Sequence, residues 1–207
     1  MAAFILISLG VGLVGAIALL IYWIIHLPDF LCLNAPIDAE VLVVEGWIPD
    51  HAVKGVISEF YQGAYRQIIT TGPPLWKGFY LSEYKNFAEL TAATLVTLGL
   101  PKEAVVAAPT LPTDLYRTYT AAVCLRQWLT SSDVNTKSIN LYTLGCHARR
   151  SWLIFKTVLA PEIEVGVIAA SPEKQLPKRW WKSSVGVRTV LPETIAYFHA
   201  RFVNWKA

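Results

Sequence analysis

Charge is scarce in this chain: Asp, Glu, Lys and Arg together make up 16% of its 207 residues. No basic run interleaved with aromatics occurs, and a net charge of +3 is too small and too scattered to argue for a nucleic-acid partner. Cysteine is scarcer still. Cys32, Cys124 and Cys146 are an odd number with neither a CxxC pair nor zinc spacing, which suggests neither a disulfide framework nor a metal site and leaves the redox compartment open. Cys124 reads as a core residue of an amphipathic helix. Cys146 reads as a turn residue, with a reactive thiol as the alternative. Also absent are a GxxxxGKS/T loop, a GxGxxG fingerprint, a GxSxG elbow and an HExxH helix. The usual phosphate-loop, dinucleotide, serine-hydrolase and zinc-protease mechanisms lack their residues, so any catalysis must come from a dispersed set.

What is present starts with Phe4 to Ile25, a stretch without a charged side chain. At about 1.5 Å per residue it is long enough to cross a hydrocarbon layer of roughly 30 Å. Residues 1–26 therefore read as a transmembrane anchor, with Tyr22, Trp23 and His26 at its interfacial end and Gly10, Gly12 and Gly15 as small residues for a close helix contact. A cleavable signal peptide is the competing reading, but it lacks a positively charged start and a nearby small-x-small site. Residues 27–39, with Pro28 and Pro36, read as a linker, and 40–207 as a single domain with a C-terminal helical tail. No Lys or Arg flanks the span closely. The first charges beyond it are Asp29, Asp38 and Glu40, which favours the domain on the extracytoplasmic side.

Buried strands are expected at Val41 to Val44, Gln67 to Thr70, Ala104 to Ala107, Ile139 to Leu144 and Glu164 to Ile168, with helices between them. Strands alternating with helices predict a doubly wound, Rossmann-like α/β fold around a mainly parallel five-stranded sheet. Ligands of such folds sit beyond the carboxyl ends of the strands, where strand order reverses. If the first and fourth strands flank that point, four loops converge there: Glu45 to Trp47, Thr71 to Pro74, Asp114 to Thr118 and Gly145 to Arg150. The last segment carries Lys178-Arg179-Trp180-Trp181-Lys182. These residues either lie on a membrane surface or pack over the edge of the core with their charges solvated. A helix then presents Val187, Leu191, Ile195, Phe198 and Phe202 on one face, with a kink or fresh start expected at Pro192.

The stretch Ser138 to Phe155 is the centre of the functional reading: a buried strand, a glycine turn at Gly145, and a helix opening with His147, Arg149 and Arg150. Cationic side chains in a first turn oppose the helix dipole by roughly 0.3–1 kcal/mol each, a conflict that an acid or an anionic ligand resolves. Pairing of these arginines with acids on adjacent loops, or simple solvation, is the plain alternative. The candidate catalytic groups are His147 as acid or base, with Asp114 and Glu45 as carboxylates. Candidate ligand contacts are Gly46, Thr71, Gly72, Arg117, Thr118, Gly145, Arg149 and Arg150. Each has a structural alternative: Asp114 as a helix cap, Thr118 as core, Glu45 as the acid that neutralises an arginine.

The order of these motifs resembles the ElyC/SanA/YdcF family of bacterial envelope proteins over about Glu40 to Pro172. The matching pieces are Val43-Val44-Glu45-Gly46-Trp47 after the first strand, Thr71-Gly72-Pro73 after the second, and Gly99-Leu100-Pro101 after the next helix. Arg117-Thr118-Tyr119-Thr120-Ala121-Ala122 follows the third strand, and His147-Ala148-Arg149-Arg150-Ser151 the fourth. Arg117 and Ala121 stand where the family pattern has asparagine, Glu45, Trp47 and Pro73 alter the glycine loops, and Glu89 is the nearest match to the family's glutamate before the third strand. The resemblance implies a role in cell-envelope, peptidoglycan or surface-polysaccharide biogenesis at the bacterial inner membrane. It leaves the cofactor open, with S-adenosylmethionine or a nucleotide as the candidates, and defines no reaction. Three functions follow as expectations: a membrane-anchored domain binding a small anionic, nucleotide-like or phosphate-bearing ligand; a non-catalytic envelope scaffold; and an S-adenosylmethionine-binding transferase-like enzyme.

Overall fold

The structure, a computed structural model, describes residues 1–132, 134–173 and 176–202; the expected end of the domain at 207 lies outside the described residues. Five strands form one all-parallel sheet: β1 (Val41–Glu45), β2 (Gln67–Gly72), β3 (Val105–Pro109), β4 (Ser138–Leu144) and β5 (Glu164–Ala170). Their order is β3-β2-β1-β4-β5, so strand order reverses between β1 and β4, as expected from the sequence. The strands are apolar on both faces because both faces are covered. Alternation along each strand divides the core. Val41, Val43, Ile69, Ile139 and Leu141 meet α4 (Arg117–Ser131) and α5 (Ala148–Leu159) through Leu125, Leu129, Phe155 and Leu159. Leu42, Val44, Ile68, Tyr142 and Ile168 meet α2 (Asp50–Gln62) and α3 (Phe87–Thr97) through Val53, Val56 and Leu95.

Two glycines at the strand ends make room for α3. A Cβ on Gly46 would stand 2.6 Å from the Phe87 carbonyl oxygen, and one on Gly72 would stand 2.7 Å from Phe87 Cβ. Gly46 N–H donates to Thr71 O and Gly46 O accepts from Thr91 Oγ1, so this glycine ties β1, β2 and α3 together.

The N-terminal apolar helix α1 spans Ala2–Leu31. Its stretch Ser8–Leu31 is long and apolar enough to cross a membrane, which an N-terminal signal sequence would also be. The linker expected from residue 27 does not begin there. The helix runs through Pro28 to Leu31 because its last turns are packed into the domain. Leu31 is fully buried with Cys146, Trp180 and Val190, and Trp180 Nε1 donates to Ile24 O at 2.9 Å. Beyond it the chain stays docked: Ala35 bridges Val167 of β5, and the buried Asn140 side chain bonds both the N–H and the C=O of Ile37.

The last helix, α6 (Ser184–Phe202), continues through Pro192, so no fresh start occurs there. Of the apolar face expected on it, Val187 is half-buried and Leu191, Ile195, Phe198 and Phe202 are exposed, while Gly186, Val190 and Ala200 are buried. The large side chains repeat at helical spacing, but the close approach of α6 is made on the side carrying small residues and Glu193. One more boundary shifts for a local reason. Tyr116 takes a left-handed conformation (φ 53°) at the N-cap of α4, so the helix starts at Arg117 and leaves Leu115 exposed outside it. Asp114 therefore caps nothing there.

Candidate functional site

β1 ends in Glu45, and the residue beside it in register on β2 is Thr71. On the other side of the switch point, β4 passes through Thr143 into a 3₁₀ turn, Gly145–His147, that leads directly into α5. Gly145 has φ 43°, the left-handed region that glycine tolerates, and this reversal brings His147 over the end of β1. Glu45 is only 2% exposed. It accepts hydrogen bonds from Thr143 Oγ1 and from Ser151 Oγ, the latter at 3.1 Å to both carboxylate oxygens. A buried carboxylate with two hydroxyl donors is held as the anion.

His147 lies between two carboxylates. Its Nε2 is 3.6 Å from Glu45 Oε2, an ion-pair distance too long for a hydrogen bond, and its Nδ1 is 3.0 Å from Glu193 Oε1. Burial pushes the imidazole pKa down, but the Glu45 charge and the bond to Glu193 outweigh it, and the net displacement is upward from 6.5. Burial likewise pushes both carboxyls up and His147 reverses it. Glu45 is held below its ordinary 4.5, and Glu193, which also binds Arg150, is drawn down to about 2. The two carboxylates thus favour the protonated imidazole, and its Nδ1–H donates to Glu193. Arg150 grips the same carboxylate bidentately, Nε to Oε2 at 2.9 Å and Nη2 to Oε1 at 3.1 Å, and its Nη1 donates to Thr118 Oγ1 at 3.1 Å. The 2.9 Å approach of Arg150 Nη2 to His147 Nδ1 follows from both donors converging on Glu193 Oε1. Trp47 sets its ring edge-on to His147 at 4.8 Å between centroids.

These groups form the floor of a cleft of about 880 Å³ at the β1/β4 switch point, with Trp76, Tyr116, Arg117 and His199 around its mouth. Among the described residues, two buried polar atoms on its lining have no hydrogen-bond partner: Thr71 Oγ1 and His147 Nε2. A smaller depression of about 690 Å³ between α4 and α5, lined by Val123, Arg126 and Thr157, carries no such cluster. Among the described residues no group of three or more His, Cys, Asp or Glu is placed to hold a metal ion.

No family model matches the chain, and no curated protein matches it either.

The structure brings together Glu45, Thr71, Gly72, Thr118, His147 and Arg150 of the residues chosen from sequence, with Asp114 and Arg117 at the mouth. Asp114 is exposed and stands outside the hydrogen-bond network around His147, so it is not part of the acid–base set. Arg117 is exposed and lies over the Trp76 ring, 5.8 Å from its centroid. Arg149 points the other way. It donates through Nε to Phe30 O and stacks on the Phe30 ring at 4.0 Å, a contact with α1 and not with the cleft. Gly145 and Gly46 also line no part of the cleft; one makes the turn and the other makes room for α3. The conflict of three cations at a helix start is therefore resolved by protein acids and by an aromatic ring.

Sequence reading passed over Glu193, Thr143, Ser151, Trp76 and Tyr116. Glu193 left one trace: it is the single acid in α6, with no basic residue three or four positions away to pair with it. Ser151 left another, as a hydroxyl inside an apolar stripe.

Proposed function

We propose that this chain is a membrane-anchored α/β domain of bacterial cell-envelope biogenesis whose switch-point cleft binds a small phosphate-bearing, nucleotide-like anion. His147 is its proton donor. The observation that carries the reading is the histidine at the floor of the cleft, whose buried Nε2 has no hydrogen-bond partner among the described residues and shares the cleft lining with the unpartnered hydroxyl of Thr71. Buried polar atoms without partners are uncommon, and an oxyanion supplies acceptors to such donors. The mouth supports the same class of ligand: Arg117 lies over the Trp76 ring and makes no ion pair among the described residues, and α4 starts there without a side-chain cap, its dipole favouring negative charge. Arg150 is neutralised by Glu193 and acts by positioning that carboxylate.

The five motifs that resemble the ElyC/SanA/YdcF family support a role in peptidoglycan or surface-polysaccharide assembly. In this reading α1 crosses the inner membrane once and the domain sits on the extracytoplasmic side, against the bilayer. Trp180 bonds Ile24 in the last turns of the span, which sets Trp181 and Lys182 at headgroup level.

The test is a thermal-shift series on the full-length protein in detergent with inorganic phosphate, nucleotides, UDP-sugars, undecaprenyl phosphate and S-adenosylmethionine. A ligand well above its dissociation constant stabilises by about 2–4 kcal/mol. One phosphate-bearing compound is expected to raise the melting temperature of the parent and not of His147→Gln. If no compound does so, and His147→Gln still complements a deletion strain, the non-catalytic scaffold replaces this reading; the exposed stripe Leu191, Ile195, Phe198 and Phe202 on α6 is then its contact surface.

A further inference from the structure

The residue before His147 points away from the cleft. Cys146 is buried in the 3₁₀ turn, and its Sγ faces the Sγ of Cys32, the C-cap of α1, at 3.0 Å. The two residues are 114 positions apart and belong to segments that have independent reasons to be where they are. Leu31 is fully buried on one side of Cys32, Ala35 bridges β5 on the other, and Cys146 follows from the end of β4. Around the pair lie Leu31, Trp180 and Val190, so the facing thiols have apolar neighbours that offer them no better hydrogen-bond partner. The third cysteine, Cys124, is half-buried on α4 and remains a free thiol.

We propose that Cys32 and Cys146 form a disulfide in the mature protein, joining the end of the anchor helix to the turn that presents His147. The inference is independent of what the cleft binds. Cys32 is the accessible partner, and Cys146 is 2% exposed. The bond therefore forms by exchange with a disulfide-bearing thiol oxidoreductase. The Cys32 thiolate attacks one donor sulfur and releases the other as a thiolate. Cys146, giving up its proton, then attacks Cys32 Sγ in the mixed disulfide and expels the second donor sulfur. Two electrons and two protons pass from the cysteines to the donor, which leaves as a dithiol. The contact between the two thiols, in which either sulfur can donate, lowers the Cys32 pKa from its ordinary 9.0 and raises that of Cys146, in keeping with Cys32 attacking first. Such a bond persists in an oxidising compartment, which puts the domain outside the cytoplasm.

The experiment is thiol trapping on the full chain in membranes of the native host. Acid-quenched membranes are alkylated with a maleimide-polyethylene glycol reagent, with and without prior reduction, followed by mass spectrometry of the non-reduced digest. One alkylated cysteine, Cys124, is expected before reduction and three after, and a peptide pair joining Cys32 to Cys146 is expected in the digest. Three alkylated cysteines before reduction, or a Cys124-containing pair, overturns the proposal. Because Cys146→Ser carries a hydroxyl into an apolar site, the folded-state control is the double variant Cys32→Ala, Cys146→Ala in detergent. Reductant is expected to lower the parent's melting temperature by about 5–10 °C and to leave the double variant's unchanged. Equal response of the two to reductant also overturns it.

Discussion

Glu45 and Glu193 treat the same histidine differently. Glu45 is buried and fixed by hydroxyls from β4 and α5, whereas Glu193 is shared with Arg150 and sits on the helix that closes the cleft. Glu45→Gln removes the charge that does most to raise the imidazole pKa without removing volume, and the His147 pKa, followed by NMR of the imidazole protons, is expected to fall toward its ordinary 6.5. Glu193→Ala leaves Arg150 and His147 facing each other as like charges in a half-buried site and is expected to cost ~3 kcal/mol in denaturant unfolding. The same groups set the pH dependence of stability. The raised pKa of His147 gives stability that is complete below 6.5 and is lost as pH rises through the folded value. The lowered pKa values of Glu45 and Glu193 give stability complete above 4.5 and lost as pH falls, for Glu193 through about 2. Unfolding midpoints are therefore expected to be highest between about pH 4.5 and 6.5, and His147→Gln to remove the decline on the alkaline side.

Among the elements, α1 and α6 are where pattern and packing part company. The central sheet was legible because five apolar runs, each closed by a turn signal, have no other way to bury both faces; its strand order placed the cleft where the loops of Glu45, Thr71 and His147 were expected. The α6 stripe has the expected spacing, yet its members Leu191, Ile195, Phe198 and Phe202 are exposed. Spacing reports that a helix has an apolar face, and only the partner decides whether that face is covered. Phe198→Ser is accordingly expected to change stability by no more than about 0.5 kcal/mol, while Val190→Ala, at a fully buried position, costs roughly 1–3 kcal/mol, measured by urea unfolding. Arg149 was misplaced for a related reason. Consecutive helical residues point about 100° apart, so Arg149 and Arg150 serve opposite sides of α5, one on Phe30 and one on Glu193. The partners of Glu193 were out of reach of any local pattern, since they lie more than 40 residues earlier.

For the whole molecule, the boundary between anchor and domain is not where a change in composition suggests. A fragment beginning at Asp38 lacks Leu31, which is completely buried, and lacks the Phe30 ring beneath Arg149. It is expected to unfold at lower urea than a fragment beginning at Leu27, by about 2–5 kcal/mol, the cost of emptying one large buried side chain's site.

With α1 set across a bilayer, the absence of a free tether also fixes a height. Ile24 is gripped by Trp180 in the last turns of the span, and Phe30 is gripped by Arg149, next in the chain to the arginine on the cleft floor. Six helical residues separate those two points, about 9 Å along the axis. The domain has no slack with which to swing toward or away from the lipid. If, as proposed, the cleft takes a phosphate still attached to a membrane carrier, that carrier has to span the gap between the hydrocarbon edge and the cleft, and a headgroup that is too short stops before the cleft however well its charge fits.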